Sequence, residues 1–386
     1  MPDLATARML LDRLVAFPSV SRDSNLDLIE WVRGWLEAQG ISAQVVPSPD
    51  GRKASLYAQV GPALPGGVVL SGHSDVVPVD GQAWTSDPFT VTERDGRLYG
   101  RGTCDMKGFD ALALAALVLA KRRGVKRPLQ LALSHDEELG CIACIPMIDA
   151  MAALPRASAV IVGEPTMMKV VTGHKGGMAY WLRVRGYEVH SSIMHEGVSA
   201  ILEGAKLLAW VNEQNAANRA ARPGPLAAMF NPPWTTVHSG QISGGTAHNI
   251  TAGACEFGID FRVVPGEDPD HWRQAFYAKV AEVEAEMQAV RPEAGIDVDE
   301  RFVVPPLAPE TQGAAEALAR ALTGDNARHV VSYGTEAGQF QVRGWSAVVC
   351  GPGDIAQAHQ ADEYLTVAQF RAGWDFMEDL VAGLCK

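Results

Sequence analysis

Five short segments of this sequence carry side chains able to bind a metal ion or move a proton. They are Gly72-His73-Ser74-Asp75, Arg101-Gly102-Thr103-Cys104-Asp105-Met106-Lys107-Gly108, His135-Asp136-Glu137-Glu138, Gly163-Glu164-Pro165-Thr166, and the stretch 351–360 that ends in Ala358-His359-Gln360. Imidazole nitrogens and carboxylate oxygens are the ligands of hydrolytic zinc, and a free glutamate beside them is a suitable general base. Taken singly, each segment has a plainer reading. A lone histidine in a loop is usually just hydrogen-bonded, and a Glu-Glu pair is usually solvated surface. Five such segments, four of them directly after an apolar run and the other opening an apolar helix, point instead to one metal centre.

The elements that must position them alternate. Apolar runs at 55–60, 67–71, 129–134, 159–162 and 347–350 read as short buried strands. Helical spacing covers 4–17, 26–39 (with Ser24 and Asn25 as caps), 109–122, 313–323 and 367–385. This is α/β grammar: a mostly parallel sheet with helices on both faces, whose sites gather beyond the carboxyl ends of the strands. Near Gly176 the pattern changes. Residues 178–184, 235–242 and 254–263 alternate, 296–302 forms a further strand, and helices are expected at 198–215 and 269–290. The order β-α-β-β-α-β is the ferredoxin-like arrangement, one four-stranded sheet with two helices on one face. We therefore expect a catalytic domain formed by 1–176 and 305–386, interrupted by an inserted domain at 177–304.

Composition narrows the function classes. The 386 residues carry a net charge of −12, which argues against a nucleic-acid partner. The longest apolar run, 111–120, is far too short to span a membrane, and the first residues have no signal-peptide pattern, so the expected location is the cytoplasm. Six scattered cysteines do not form a secreted disulfide framework, and Cys141-x-x-Cys144 lacks a thioredoxin-like context for redox work.

In order, spacing and context, the segments H-x-D, G-x-x-D-M-K-G, D-E-E-x-G, G-E-P and A-H-Q resemble the co-catalytic zinc metallopeptidases. That family includes acetylornithine deacetylase, succinyl-diaminopimelate desuccinylase, aminoacylase and glutamate-releasing carboxypeptidase. The resemblance covers nearly the whole chain. It implies that His73, Asp105 and Glu164 bind one zinc ion and that His359, Asp105 and Glu138 bind a second, with Asp105 shared. Co²⁺ or Mn²⁺ are possible substitutes, because the same ligand set accepts them. Asp75 is implied as the carboxylate that orients His73, and Glu137 as the base that activates the attacking water. Three ligand carboxylates and one hydroxide would balance the charge of two dications.

The resemblance extends to the inserted domain. His190, in Gly186-Tyr187-Glu188-Val189-His190-Ser191, matches the family's G-x-x-x-H-S turn, whose histidine reaches a neighbouring subunit's active site. It implies a catalytic His190 and a homodimer through inserted domains that also act as lids. Tyr187, Glu188 and Val189 stand where relatives have small residues. Asn249 and Arg262 look like the substrate-carboxylate clamp, Arg for its planar fork, although Arg262 also suits a strand-surface salt bridge. Gly334, Thr335 and Glu336, in Tyr333-Gly334-Thr335-Glu336-Ala337, complete the substrate-binding candidates, with Glu336 suited to a ligand amine, a cleft hydrogen-bond network or a helix cap. The implied substrate is a small N-acyl amino acid, with the stretches around Asp105, Glu164, Lys175 and Glu336 closest to the acetylornithine branch. Alternatives are a desuccinylase or other deacylase, a dipeptidase or carboxypeptidase, and a retired metal-binding scaffold. The presence of Glu137 beside a full ligand set argues against the last.

Overall fold

The computed structural model describes all 386 residues, which divide into two compact units. The first comprises 1–173, 309–330 and 335–386, and the second comprises 174–308 and 331–334. Residues 331–334 associate with the second unit, where the Lys175 N–H donates to the Val331 carbonyl at 3.2 Å.

The first unit is built on an eight-stranded sheet. Its order is Ala43–Pro47, Ala54–Val60, Leu129–Ser134, Val68–His73, Ala159–Val162, Ala347–Val349, Val171–His174 and His329–Val331. The third to sixth of these run parallel. The pairings that flank them on either side are antiparallel. Every residue of Val68–His73 and Leu129–Ser134 is buried, which requires cover on both faces of the sheet. The mostly parallel α/β class read from the apolar runs is the observed one.

The helix Lys107–Arg123 is the packing centre of this unit. It is buried without a break from Lys107 to Ala120 and lies against the helices Leu4–Val15 and Val367–Leu384. Gly124 ends it in the left-handed conformation, and Lys121, Arg122 and Arg123 complement the negative end of its dipole. Its first turn comes so close to two strand ends that only glycine fits there. A Cβ on Gly72 would meet the Asp110 carboxylate, and one on Gly163 would fall inside the Phe109 ring.

Several elements were not apparent from the sequence. A small sheet of Thr92–Arg94, Arg97–Tyr99 and Tyr364–Thr366 ties the segment before Asp105 to the segment after His359, with Tyr99 opposite Tyr364. Three-residue strands carry no readable period. Ala43–Pro47 is only half-buried and so shows no apolar run.

In the second unit the sheet order is Thr236–His238, Ala254–Val263, Gly176–Arg185 and Gly295–Val304, with Ile242–Gly244 also paired to Ala254–Val263. The helices Ala200–Ala220 and Pro269–Val290 pack on it around Tyr180, Trp210, Phe257, Phe261 and Phe276. The single strand expected at 235–242 is broken in two. His238 pairs with Asp260 but Ile242 pairs with Phe257, so one extra residue bulges out between them, at a segment that contains Gly240. No helix in either unit is long and apolar enough to cross a membrane.

Leu117 lies fully buried in the central helix. Leu117→Ala should cost about 2–5 kcal/mol, read as a lower denaturant midpoint at unchanged slope. A loss below about 1 kcal/mol would deny this helix its place as the packing centre.

Candidate metal centre

The parallel strands deliver the candidate donors to one edge. His73 is the last residue of its strand, Glu137 and Glu138 follow Leu129–Ser134, Glu164 follows Ala159–Val162, and His359 lies on the loop beyond Ala347–Val349. Asp105 arrives from the loop that opens the central helix. In this way tertiary structure gathers side chains spread over nearly three hundred residues of sequence.

Asp105 is the hub. Its Oδ1 lies 3.1 Å from His73 Nε2, and its Oδ2 lies 3.3 Å from His359 Nε2. His359 Nε2 is also 3.1 Å from the Glu138 carboxylate, and Glu164 Oε1 is 3.8 Å from His73 Nε2. Two groups of three place their donor atoms within 4.8 Å of one another: His73, Glu137 and Glu164, and His73, Asp105 and Glu138.

Asp75 meets His73 with two oxygens. Its Nδ1 lies 2.9 Å from the backbone carbonyl of Asp75, and the Asp75 carboxylate stands further off at 3.5 Å. That carboxylate accepts from the Ser21 hydroxyl at 2.6 Å and from the Glu137 N–H at 3.2 Å. Asp75 therefore holds the imidazole through its main-chain carbonyl and its carboxylate, and the same carboxylate holds the Glu137 turn.

Two further residues hold the Asp105 loop. Glu363 accepts the N–H groups of Cys104 and Asp105 at 2.9 and 3.1 Å, and its other oxygen pairs with Arg101 at 2.6 Å. Both side chains are 1% exposed, so removing either partner would strand a buried charge. Glu363 lies outside the five segments read from the sequence. The available signal was its position just past His359, matched by an arginine inside the Asp105 motif.

The electrostatics favour added positive charge. Burial, joined by the Glu138 charge, pushes the Glu137 carboxyl up to about 8. Burial and the Asp105 charge push Glu138 up, and the same two causes push Glu164 up strongly. Burial also opposes charge on Asp105, but hydrogen bonds from His359 and His73 outweigh it and hold Asp105 well below the usual carboxylate range. Hydrogen bonds to Asp105 and Glu138 raise His359 to about 10. Glu164 Oε1 is buried with no hydrogen-bond partner, a costly state for an acceptor unless a cation faces it. Four acidic groups and two imidazoles in this geometry fit divalent cations that accept mixed nitrogen and oxygen ligands.

The model of Peptidase family M20/M25/M40 matches residues 69–383. The chain belongs to this family. An acetylornithine deacetylase of Myxococcus xanthus is 38% identical over 376 residues, 94% of this chain and 93% of that one. An acetylornithine deacetylase of Proteus mirabilis is 33% identical over 390 residues, 99% of this chain and 97% of that one. Among solved structures, an M20 family metallo-carboxypeptidase of Sulfolobus solfataricus superimposes with a TM-score of 0.79 at 18% identity, covering 97% of this chain and 98% of that one. Human carnosine dipeptidase 1 gives 0.74 at 15%, with 99% and 97% covered. These distant structures attest the fold. The M20 chain is a metal-dependent hydrolase.

Not all candidate substrate residues of this M20 enzyme face solvent. Glu336 is 1% exposed, and its carboxylate meets the hydroxyls of Ser134 and, at 3.3 Å, Ser71. Of the three possibilities read from sequence, the geometry favours the hydrogen-bond network: Glu336 makes no side-chain cap, and burial raises it to about 7. Thr335 is equally buried and accepts from the Ala337 N–H at 3.1 Å.

His190, Asn249, Arg262 and Gly334 belong to the second unit. His190 is exposed, and its Nδ1 accepts the Ser192 N–H at 3.2 Å. The Asn249 side chain is exposed, while its carbonyl accepts from Ser191 at 2.8 Å. Arg262 pairs with Asp260 on its own strand at 3.0 Å, the salt bridge weighed from sequence. Gly334 approaches the Val304 side chain and the Lys175 carbonyl.

Ligation requires His359 neutral and Glu138 and Glu164 ionised, whereas their surroundings favour the protonated forms. Adding a divalent cation to the stripped protein should therefore release protons, and affinity should rise with pH up to about 10, where the raised His359 loses its proton. Calorimetry in two buffers of different ionisation enthalpy reads this directly. Binding heats independent of buffer would count against these groups as ligands.

Proposed function

We propose that this M20 enzyme hydrolyses the amide bond of a small N-acyl amino acid, releasing an acetyl group from a substrate such as N-acetylornithine. The observation that carries the substrate class is near-full-length similarity, at 33–38% identity, to two proteins named acetylornithine deacetylase. In this reading His73, Asp105 and Glu164 hold one divalent cation and His359, Asp105 and Glu138 hold the other, zinc being the metal of the resemblance. The imidazole on each oxygen of Asp105 supports a bridging carboxylate. When bound, the pair supplies a Lewis acid for the amide carbonyl and acidifies a water.

Glu137 does the proton work. It takes a proton from the water as the oxygen adds to the carbonyl carbon and delivers it to the departing nitrogen as the C–N bond breaks. The second proton of the water passes from the new carboxyl group to the amine, so one water is consumed and an ammonium and a carboxylate are released. A glutamate bound directly to a cation would lack that freedom, so the two jobs need two glutamates; the family resemblance makes Glu138 the ligand, and its 3.1 Å approach to His359 supports that ordering. Glu137→Gln should keep both metals and lose about 10²–10⁴-fold in kcat. Metal analysis alongside assays of N-acetyl-, N-formyl- and N-succinyl-amino acids tests the residue and the acyl group together. Near-normal turnover by the variant would sink the assignment.

The inserted domain is assigned to dimerisation and lid closure, with Asn249 and Arg262 holding the substrate carboxylate and His190 serving the partner's site. Its surface supports an interface. Ile193, Met194, Ile201, Leu202, Ile242 and Ile250 are each 38–56% exposed, and the outer edge of Ile242–Gly244 is an unpaired strand edge. Light scattering should give twice the monomer mass. His190→Ala should lower kcat by about 10²-fold at unchanged mass, as for a lost oxyanion donor. A fully active monomer would contradict a shared site.

A further inference from the structure

The Cys141-x-x-Cys144 pair, without a redox setting, lies against Glu137. Cys141 Sγ is 2.9 Å from Glu137 Oε1. The N–H groups of Gly140 and Cys141 both donate to the Glu137 carbonyl at 2.9 Å, and the Cys144 thiol donates to the Cys141 carbonyl at 3.1 Å. The Glu137 N–H is held in turn by Asp75. The turn from Glu137 to Cys141 is therefore closed on the glutamate from its main chain and from one side-chain oxygen.

Cys141 occupies this place against local preference. Its φ is 55°, in the left-handed region where glycine sits without strain, yet the residue carries a buried side chain that is 4% exposed. Burial, and then the Glu137 charge, push the thiol well above its usual range, so it stays protonated and able to donate. A thiol is a weak donor. It can fix the direction of a carboxylate while drawing little of its basicity away.

We propose that Cys141 is a positioning residue for Glu137: its S–H donates to Oε1, holds the carboxylate in one orientation and leaves Oε2 for proton transfer. The inference rests on Glu137 being the base. Cys141 itself touches no reacting atom and acts through the glutamate alone.

The test is steady-state kinetics of the zinc-loaded full-length enzyme with N-acetylornithine, comparing Glu137→Gln, Cys141→Gly, Cys141→Ala and Cys141→Ser, with metal content and melting temperature measured on each. Glycine relieves the backbone strain while deleting the donor, so Cys141→Gly should melt no more than slightly below wild type. Its kcat should nevertheless fall about tenfold with KM and metal content unchanged. Cys141→Ala, a second variant without the donor should the first fold poorly, should show the same loss. Cys141→Ser restores a donor and should return to within about threefold of wild type. Wild-type kcat in Cys141→Gly or Cys141→Ala, or a Cys141→Ser as slow as Cys141→Gly, overturns the proposal. If Glu137→Gln itself turns over normally, the base assignment fails. If Glu137→Gln is inactive while Cys141→Gly is normal, only the present inference fails.

Discussion

The structure turns on one buried carboxylate with an imidazole on each oxygen. Asp105 lies between His73 and His359, with Glu137, Glu138 and Glu164 close by. Such a concentration of acid is unfavourable in a low-dielectric interior unless positive charge accompanies it. The imidazoles offset part of this, and the raised pKa values of the surrounding glutamates record what is left. Two divalent cations would reverse that pattern, and on our reading the cluster is built for them.

The rest of the first unit serves to hold this charge in place. Four parallel strands end on the same edge, and a helix buried on all sides begins there because Gly72 and Gly163 leave it room. The loop that carries Asp105 is fixed by Glu363, itself neutralised by Arg101, so a buried ion pair supports a site it does not enter. The small sheet pairing Tyr99 with Tyr364 brings these partners to the same place. Around Glu137 the supports are the side chain of Asp75, the main chain of the turn and the thiol of Cys141.

The second unit follows simpler rules. Ala254–Val263 alternates strictly between buried and less buried residues, and its buried side forms an aromatic core under two helices. Such alternation can be read directly from sequence, because one face of the sheet is dry and the other is not. The bulge near Gly240 could not be read in this way: between the buried Val237 and the exposed Ile242, the residues His238 to Gln241 include no apolar side chain to mark the shift in register.

By itself the sequence determined the α/β class, the change of grammar near Gly176 and the side chains that converge on Asp105. Those features depend on local period and on residue chemistry placed just past apolar runs, and both are written along the chain. Only the tertiary structure decided which atoms meet: the Asp75 carbonyl joining its carboxylate on His73, Glu336 turned inward to Ser71 and Ser134, Glu363 beneath the Asp105 loop, and Cys141 on Glu137. These contacts depend on the direction of individual side chains within a packed interior. Many residue types could satisfy each position, so composition and spacing leave little trace of them until the chain has folded.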